Sequence, residues 1–386
     1  MLIANLVVVL IVLICAVYQY QKGTLLKAFV DLVTVIVSSF VAFAYFETVA
    51  GFFIGRGGQS RFPALLPWAQ PLAFGLLFVV AFAVLQTLTQ QLLRVKVEFG
   101  KNVEQAGRLI CGFLLGLVSS GLLVTVLLMC PLPGKYPYSR FDSSRPDLRN
   151  PHKLILNSDG LVTGLFAIAS KGSLSGAVSF ALVHPDFLDQ LYLNRLGVSR
   201  KVTTVTSSEV IALPPKRASQ EQPVVVWQPG ERLTTTDGKP VPQRSGHRLI
   251  MVRLGIRQST PAEAAAFTLS QVRVVAAAER QGRAALPRQG RNLYPVGYIE
   301  NGLLKVAPLS HTITLTREDY QQKERIKWID FAFHLPNQYR PVLVQFKQNN
   351  MLALPAVLPV DPQIEPTGLQ RKKEQRGDRA ERNTGR

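Results

Sequence analysis

The chain has 386 residues, 44 Lys+Arg against 25 Asp+Glu for a formal net charge of +19, and 47% hydrophobic side chains. Its 3 cysteines, Cys15, Cys111 and Cys130, all lie in apolar segments, which excludes a disulfide framework or a Cys-based metal site from the polar region. Residues 1–130 hold 8 Lys+Arg and 4 Asp+Glu, leaving 36 and 21 for residues 131–386, so the polar part carries a net +15.

Four apolar runs open the chain: Leu2–Tyr18, Leu25–Phe46, Trp68–Leu93 and Gln105–Cys130. Each approaches the about 20 residues needed to cross about 30 Å of hydrocarbon, and residues 1–130 are therefore predicted to be an all-α four-helix transmembrane bundle. No Lys or Arg precedes the first run and no Ala-x-Ala-like site follows it, so it reads as an uncleaved anchor rather than a signal peptide.

Basic residues near the helix ends set the expected orientation. Lys22 and Lys27 flank the first turn, and Arg94, Lys96, Lys101 and Arg108 the third, whereas the second loop has only Arg56 and Arg61. The first and third turns are expected to be cytoplasmic, which in a bacterial inner membrane places residues 131–386 in the periplasm. The run Lys135, Arg140, Arg145, Arg149 and Lys153 argues the other way, although long translocated domains tolerate such charges.

Within the membrane, Lys27 and Asp31 are spaced i,i+4 and share a helix face, where an ion pair would lower the cost of burying either charge. The pair reads either as part of a proton or ion pathway or as an interfacial pair whose lysine snorkels to the surface. The fourth run carries Gly107, Gly112, Gly116, Ser120 and Gly121, a small-residue surface for close helix packing, within one chain or in a homo-oligomer. Other intramembrane polar groups are few: Thr34, Ser38, Ser39, Gln86, Thr87 and Thr125.

The four runs, the Lys22-Gly23 step entering the second helix, and Arg108-Leu-Ile-Cys-Gly112-Phe-Leu-Leu-Gly116 in the fourth resemble the colicin V production protein family (CvpA-like membrane proteins) over about residues 1–130. The family pattern has an Asp-Arg pair before these glycines and an Arg-Gly step after them; here those positions read Arg108-Leu109 and Ser119-Ser120. The resemblance implies a multi-pass inner-membrane protein linked to colicin V production, toxin export and envelope homeostasis. Relatives of such a module are sometimes fused to a periplasmic trypsin-like protease, whose nucleophile loop the polar region lacks. Gly172-Ser-Leu-Ser-Gly176 fits neither a Gly-Asp-Ser-Gly nor a Gly-x-Ser-x-Gly loop and reads as a polar turn. His152, His184, His247, His311 and His334 lack zinc-site spacing, and Gly55-Arg-Gly-Gly58 lacks the Lys-Ser/Thr ending of a phosphate loop.

Residues 131–220 read as a linker with short helices around Gly160–Ser170 and Phe187–Leu196. The segment Leu161–Ala169 reads as core-packed in preference to lying on the membrane surface. From residue 221 to 360 the period becomes that of strands: Val224–Trp227, Arg248–Gly255, Ala266–Ala276, Thr312–Leu315, Trp328–Phe333 and Pro341–Phe346. Short strands with turn signals point to a mainly-β, immunoglobulin-like sandwich. Phe331–Pro336 followed by Arg340–Lys347 is similar to the last hairpin of immunoglobulin-like accessory domains on envelope proteins. Residues 361–386 are expected to be a disordered basic tail.

The expectation is a non-enzymatic inner-membrane scaffold whose periplasmic β-domain contacts an envelope protein partner. The alternatives are a transporter or channel component using Lys27 and Asp31, and a membrane-anchored enzyme, for which no catalytic constellation is present. No cofactor or metal is called for, and the expected partners are membrane lipids, the envelope protein and, as an option, a second copy of the chain. The basic residues Arg195, Arg200, Lys201, Lys216 and Arg217 lack interleaved aromatics and give no support for nucleic-acid binding.

Overall fold

The computed structural model describes residues 1–55, 62–92, 100–142, 146–171, 179–198, 202–216, 222–230, 233–258, 264–279, 289–320, 325–361 and 363–371. Arg56, Arg61, Arg94, Lys96, Arg145, the Gly172–Gly176 turn, Arg200, Lys201, Arg217 and tail residues 372–386 lie outside the described residues.

Four long helices, α1 (Leu2–Lys22), α2 (Leu25–Phe53), α3 (Ala69–Leu92) and α4 (Lys101–Met129), are long and apolar enough to cross a membrane. Side chains such as Leu6, Leu10, Leu13, Val79, Val84 and Phe113 stay exposed, as lipid-facing residues must be when helices share a bilayer. The small-residue surface of α4 packs inside the chain. A Cβ on Gly112 would stand 2.9 Å from Ala16 Cα, and one on Gly116 would stand 2.6 Å from Val12 Cα, so α1 approaches α4 at backbone distance. Gly107 meets Leu25, Gly121 meets Ser158, and the buried Ser120 bonds back to Leu117 O at 3.0 Å.

Three further helices follow: α5 (Ser158–Lys171), α6 (Phe180–Val183) and α7 (Phe187–Asn194). Val162 and Phe166 of α5 join the membrane-bundle core with Phe43, Phe46 and Phe74, as the sequence reading of 161–169 expected, while Leu165 and Ile168 on the same helix are exposed.

The remaining chain is mostly β. One antiparallel sheet runs β1 (Ile211–Ala212), β3 (His247–Arg257), β10 (Ile326–Pro336), β7 (Gly297–Glu300), β8 (Leu303–Val306), with β2 (Val226–Trp227) also on β3. A second runs β12 (Asn350–Ala353), β11 (Tyr339–Phe346), β5 (Val272–Ala278), β6 (Arg291–Leu293), and a small third sheet pairs β4 (Ala266–Thr268) with β9 (Thr312–Thr314). Ile250, Val252, Phe331 and Phe333 of the first sheet share one core with Val272, Val274, Val344 and Phe346 of the second.

Three expectations change. The Phe331–Lys347 hairpin does not form, because β10 pairs with β3 and β7 while β11 pairs with β5 and β12; the chain crosses between sheets after Pro336. Strand pairing begins before residue 221, since Ile211 pairs with Ile256. Residues 363–371 are packed: Leu369 is buried against the first sheet, its N–H donates to Ile299 O at 3.0 Å, and Arg371 pairs with Asp319 at 3.0 Å. An apolar anchor and a buried acid fix this stretch, features that a count of tail charges misses.

The β-domain sits at one end of the bundle. Asn5 at the start of α1 accepts from Ile155 N at 3.0 Å, Gly55 O after α2 accepts from Ser208 N at 2.8 Å, and Gln70 at the start of α3 lies 3.5 Å from Gln348 O. The turn joining α1 to α2 and the start of α4 are at the other end.

Candidate functional site

Two polar clusters stand out, one at the far end of the bundle and one where the bundle meets the β-domain. In the first, Asp31 accepts from Gln19 Nε2 at 2.9 Å and Gln86 Nε2 at 3.3 Å. The predicted Lys27–Asp31 ion pair is not formed: Lys27 is exposed, and the carboxylate turns inward to amides on α1 and α3. Amide donors neutralise less but need no second buried charge. Alongside, Arg108 Nη1 donates to Gly23 O at 2.5 Å, and Glu104 Oε1 accepts from Leu25 N at 2.7 Å, so α4 clamps the turn between α1 and α2. Gly23 is buried there, with Gln19 O only 2.9 Å from where a Cβ would lie, whereas Lys22 beside it is exposed.

Among the described residues, the bundle interior between this layer and the β-domain is mainly apolar, with Val8, Val12, Leu32, Val35, Phe43, Phe46 and Leu117, and its buried polar residues are Thr34, Ser38, Ser39, Ser120 and Thr125. The hydroxyls of Ser38, Ser39, Thr87 and Thr125 donate to carbonyls of their own helices, at 2.6–2.8 Å. Back-bonded hydroxyls are satisfied locally and offer nothing to a passing ion.

The second cluster is assembled from five stretches. Pro185 ends α6, and His184 before it has left the helix at φ −124, ψ 61, as a residue preceding proline tends to. Its ring points to α2, with Nε2 3.1 Å from Glu47 Oε1, and to α7, with Nδ1 2.8 Å from Gln190 Oε1. Arg273 arrives from β5 by strand alternation. Val272, Val274 and Ala276 face the inter-sheet core, which turns Arg273, Val275 and Ala277 toward the helices. Its register partner on β11, Gln345, accepts from Arg273 Nε, Asn292 Oδ1 accepts from Nη1 at 2.6 Å, and Nη2 lies 3.4 Å from His184 Nδ1.

Arg273 is 3% exposed, and burial pulls its guanidinium down to about 10, with Tyr294, Glu47 and Asp186 pulling the other way. Burial likewise raises the Asp186 carboxyl and the Tyr294 phenol. Lys347, buried just beyond β11, donates to Thr203 Oγ1 at 2.8 Å and Ala266 O at 3.1 Å. Between these groups is a cavity of about 20 Å³, walled by His184, Gln190, Arg273, Tyr294, Lys347 and Gln348 among others. That is room for one or two water-sized species.

The neighbouring ladder Arg140–Tyr138–Asp159 ties the linker to α5. Tyr138 OH donates to Asp159 Oδ2 at 2.5 Å and accepts from Arg140 Nη1 at 3.2 Å, while Arg140 also pairs with Asp189 of α7. Among the described residues there is no group of three His, Cys, Asp or Glu that could hold a metal.

Of the residues singled out in the sequence, Gly112 and Gly116 meet on α1, and Arg108 and Gly23 meet each other. Of the seam residues, the sequence reading passes over Glu47 and Arg273, and it takes His184 only as one of five histidines without zinc-site spacing. One signal was available: a single arginine among valines and alanines in Val272–Ala278, on a strand buried on both faces. No family model matches the chain, and neither a curated protein nor a solved structure is similar to it at a significant level.

Proposed function

We propose that the chain is a non-enzymatic integral-membrane scaffold of the colicin V production type, acting in toxin export and envelope homeostasis. The four helices hold it in a bacterial inner membrane, and the β-domain, read as an immunoglobulin-like accessory module, meets an envelope protein partner on the periplasmic side. The observation that carries this reading is the bonded junction between membrane and β-domain: Glu47 of α2, His184 and Arg273 of β5 form one line of contacts, so the β-domain is held in a set attitude to the bilayer. The small cavity at that junction and the closed packing of the bundle favour a structural role over turnover or conduction.

A reporter fused after residue 386 and active only in the periplasm tests the placement; activity only from a cytoplasmic reporter would remove the envelope-contact reading. Asp31, with its two amide partners, favours a second reading as a transporter component. Proteoliposomes separate the two. The scaffold reading expects ion leakage equal to that of empty vesicles, and a flux abolished by Asp31→Asn would replace it with the transporter reading.

A further inference from the structure

We propose that the cavity between α7 and the second β-sheet is a binding site for a small monatomic anion, of which chloride is the representative. The site is built, not incidental. Its walls include Arg273 and Lys347, two buried cationic residues around one space of about 20 Å³. Arg273 donates to amide oxygens of Gln345 and Asn292 and lies against an imidazole, and the carboxylates of Glu47 and Asp186 act on it from nearby without an ion-pair contact. A buried charge without a counter-charge in contact is costly, and an anion in the cavity would lower that cost.

The neutral lining points the same way. Gln190 Nε2, Gln348 Nε2 and the Tyr294 hydroxyl are all buried donors without a partner. The Gln348 amide is fixed, because its Oε1 accepts from Asn194 Nδ2 at 3.2 Å, which leaves its NH₂ for the cavity; the Gln190 amide reaches His184 Nδ1 at 2.8 Å. Against these donors stands one unpartnered acceptor, Asn194 Oδ1. A lone water divides its bonds between donors and acceptors, whereas a halide accepts from all sides. The volume admits a monatomic ion.

The test is thermal unfolding of the full chain in detergent, in sodium chloride or bromide against sodium gluconate at equal ionic strength. Halide occupancy of the folded state should raise the midpoint by about 2–4 °C. Tyr294→Phe, which removes a donor the anion uses and no bond of the empty site, should fold as well as wild type in gluconate and lose at least half of the halide shift. Bromide's anomalous scattering from a crystal grown in sodium bromide should show a peak in the cavity. Equal wild-type midpoints in halide and gluconate, a shift that Tyr294→Phe leaves whole, or a cavity holding only water would overturn the proposal.

Discussion

Glu47 on α2 and His184 after α6 meet at 3.1 Å, a contact spanning 137 positions of sequence between a membrane helix and the element that seats the β-domain. His184 is buried and Glu47 is partly open, so the imidazole is held by its surroundings and the carboxylate reaches to it.

If this contact couples the two parts, Glu47→Gln and His184→Gln should not be additive. A double-mutant cycle on thermal unfolding in detergent is expected to give a coupling of about 1 kcal/mol. Strict additivity would reduce the contact to proximity.

Close packing of α1 on α4 makes a sharper prediction. Gly116→Val forces a side chain against Val12 Cα, 2.6 Å from the nearest Cβ position, and should destabilise the bundle by about 1–3 kcal/mol. Gly75→Ala, with nothing within 4 Å, should leave the unfolding midpoint unchanged or slightly raise it. Equal effects of the two would contradict the packing.

In the β-domain, Arg253 and Asp330 are register partners and bond through two N–H···O contacts of 2.8 Å, with Asp330 fully buried. Asp330→Asn leaves the guanidinium without its counter-charge and is expected to cost about 3–5 kcal/mol in denaturant unfolding. Replacing both, Arg253→Met with Asp330→Leu, should recover much of that loss; no recovery would mean that the bond from Thr367 N to Asp330, rather than the pair, supplies the stability.

Burial, reinforced by Arg244 and His247, holds the His334 imidazole below its ordinary value. The folded state therefore binds this proton more weakly than the unfolded chain. The contribution is intact above the ordinary histidine value of about 6.5 and is lost as pH falls from there through the lowered one. His334→Gln should flatten that part of the stability profile, and a profile unchanged by the substitution would show that other groups govern the acid limb.

Much of the architecture is readable without coordinates because the bilayer imposes a strict condition on composition. Each of the four apolar runs coincides with a long helix, since an uninterrupted apolar stretch has one way to satisfy its backbone in lipid. Strands were less legible. Ala266–Ala276 reads as one run but is broken at Leu269–Gln271 by a capping box, in which Thr268 and Gln271 bond each other's backbone. The hairpin of β7 and β8 goes unread although Asn301-Gly302, at φ 53 and 79, is the strongest short hairpin signal in the chain. The seam is the least legible part. Its members are single polar residues on separate elements, and only the packing of α7 against the second sheet makes them neighbours.

The intimate contact of α1 with α4 also sets an order of assembly. Helix α1 has its main partner in α4, and its Ala16 and Val12 meet Gly112 and Gly116 only after the two intervening spans have been made. Until then the face of α1 formed by Val12 and Ala16 lacks the surface that closes it. Biogenesis of this module is therefore a closure, completed by its final helix, and a chain truncated before residue 112 would leave that first helix without its place.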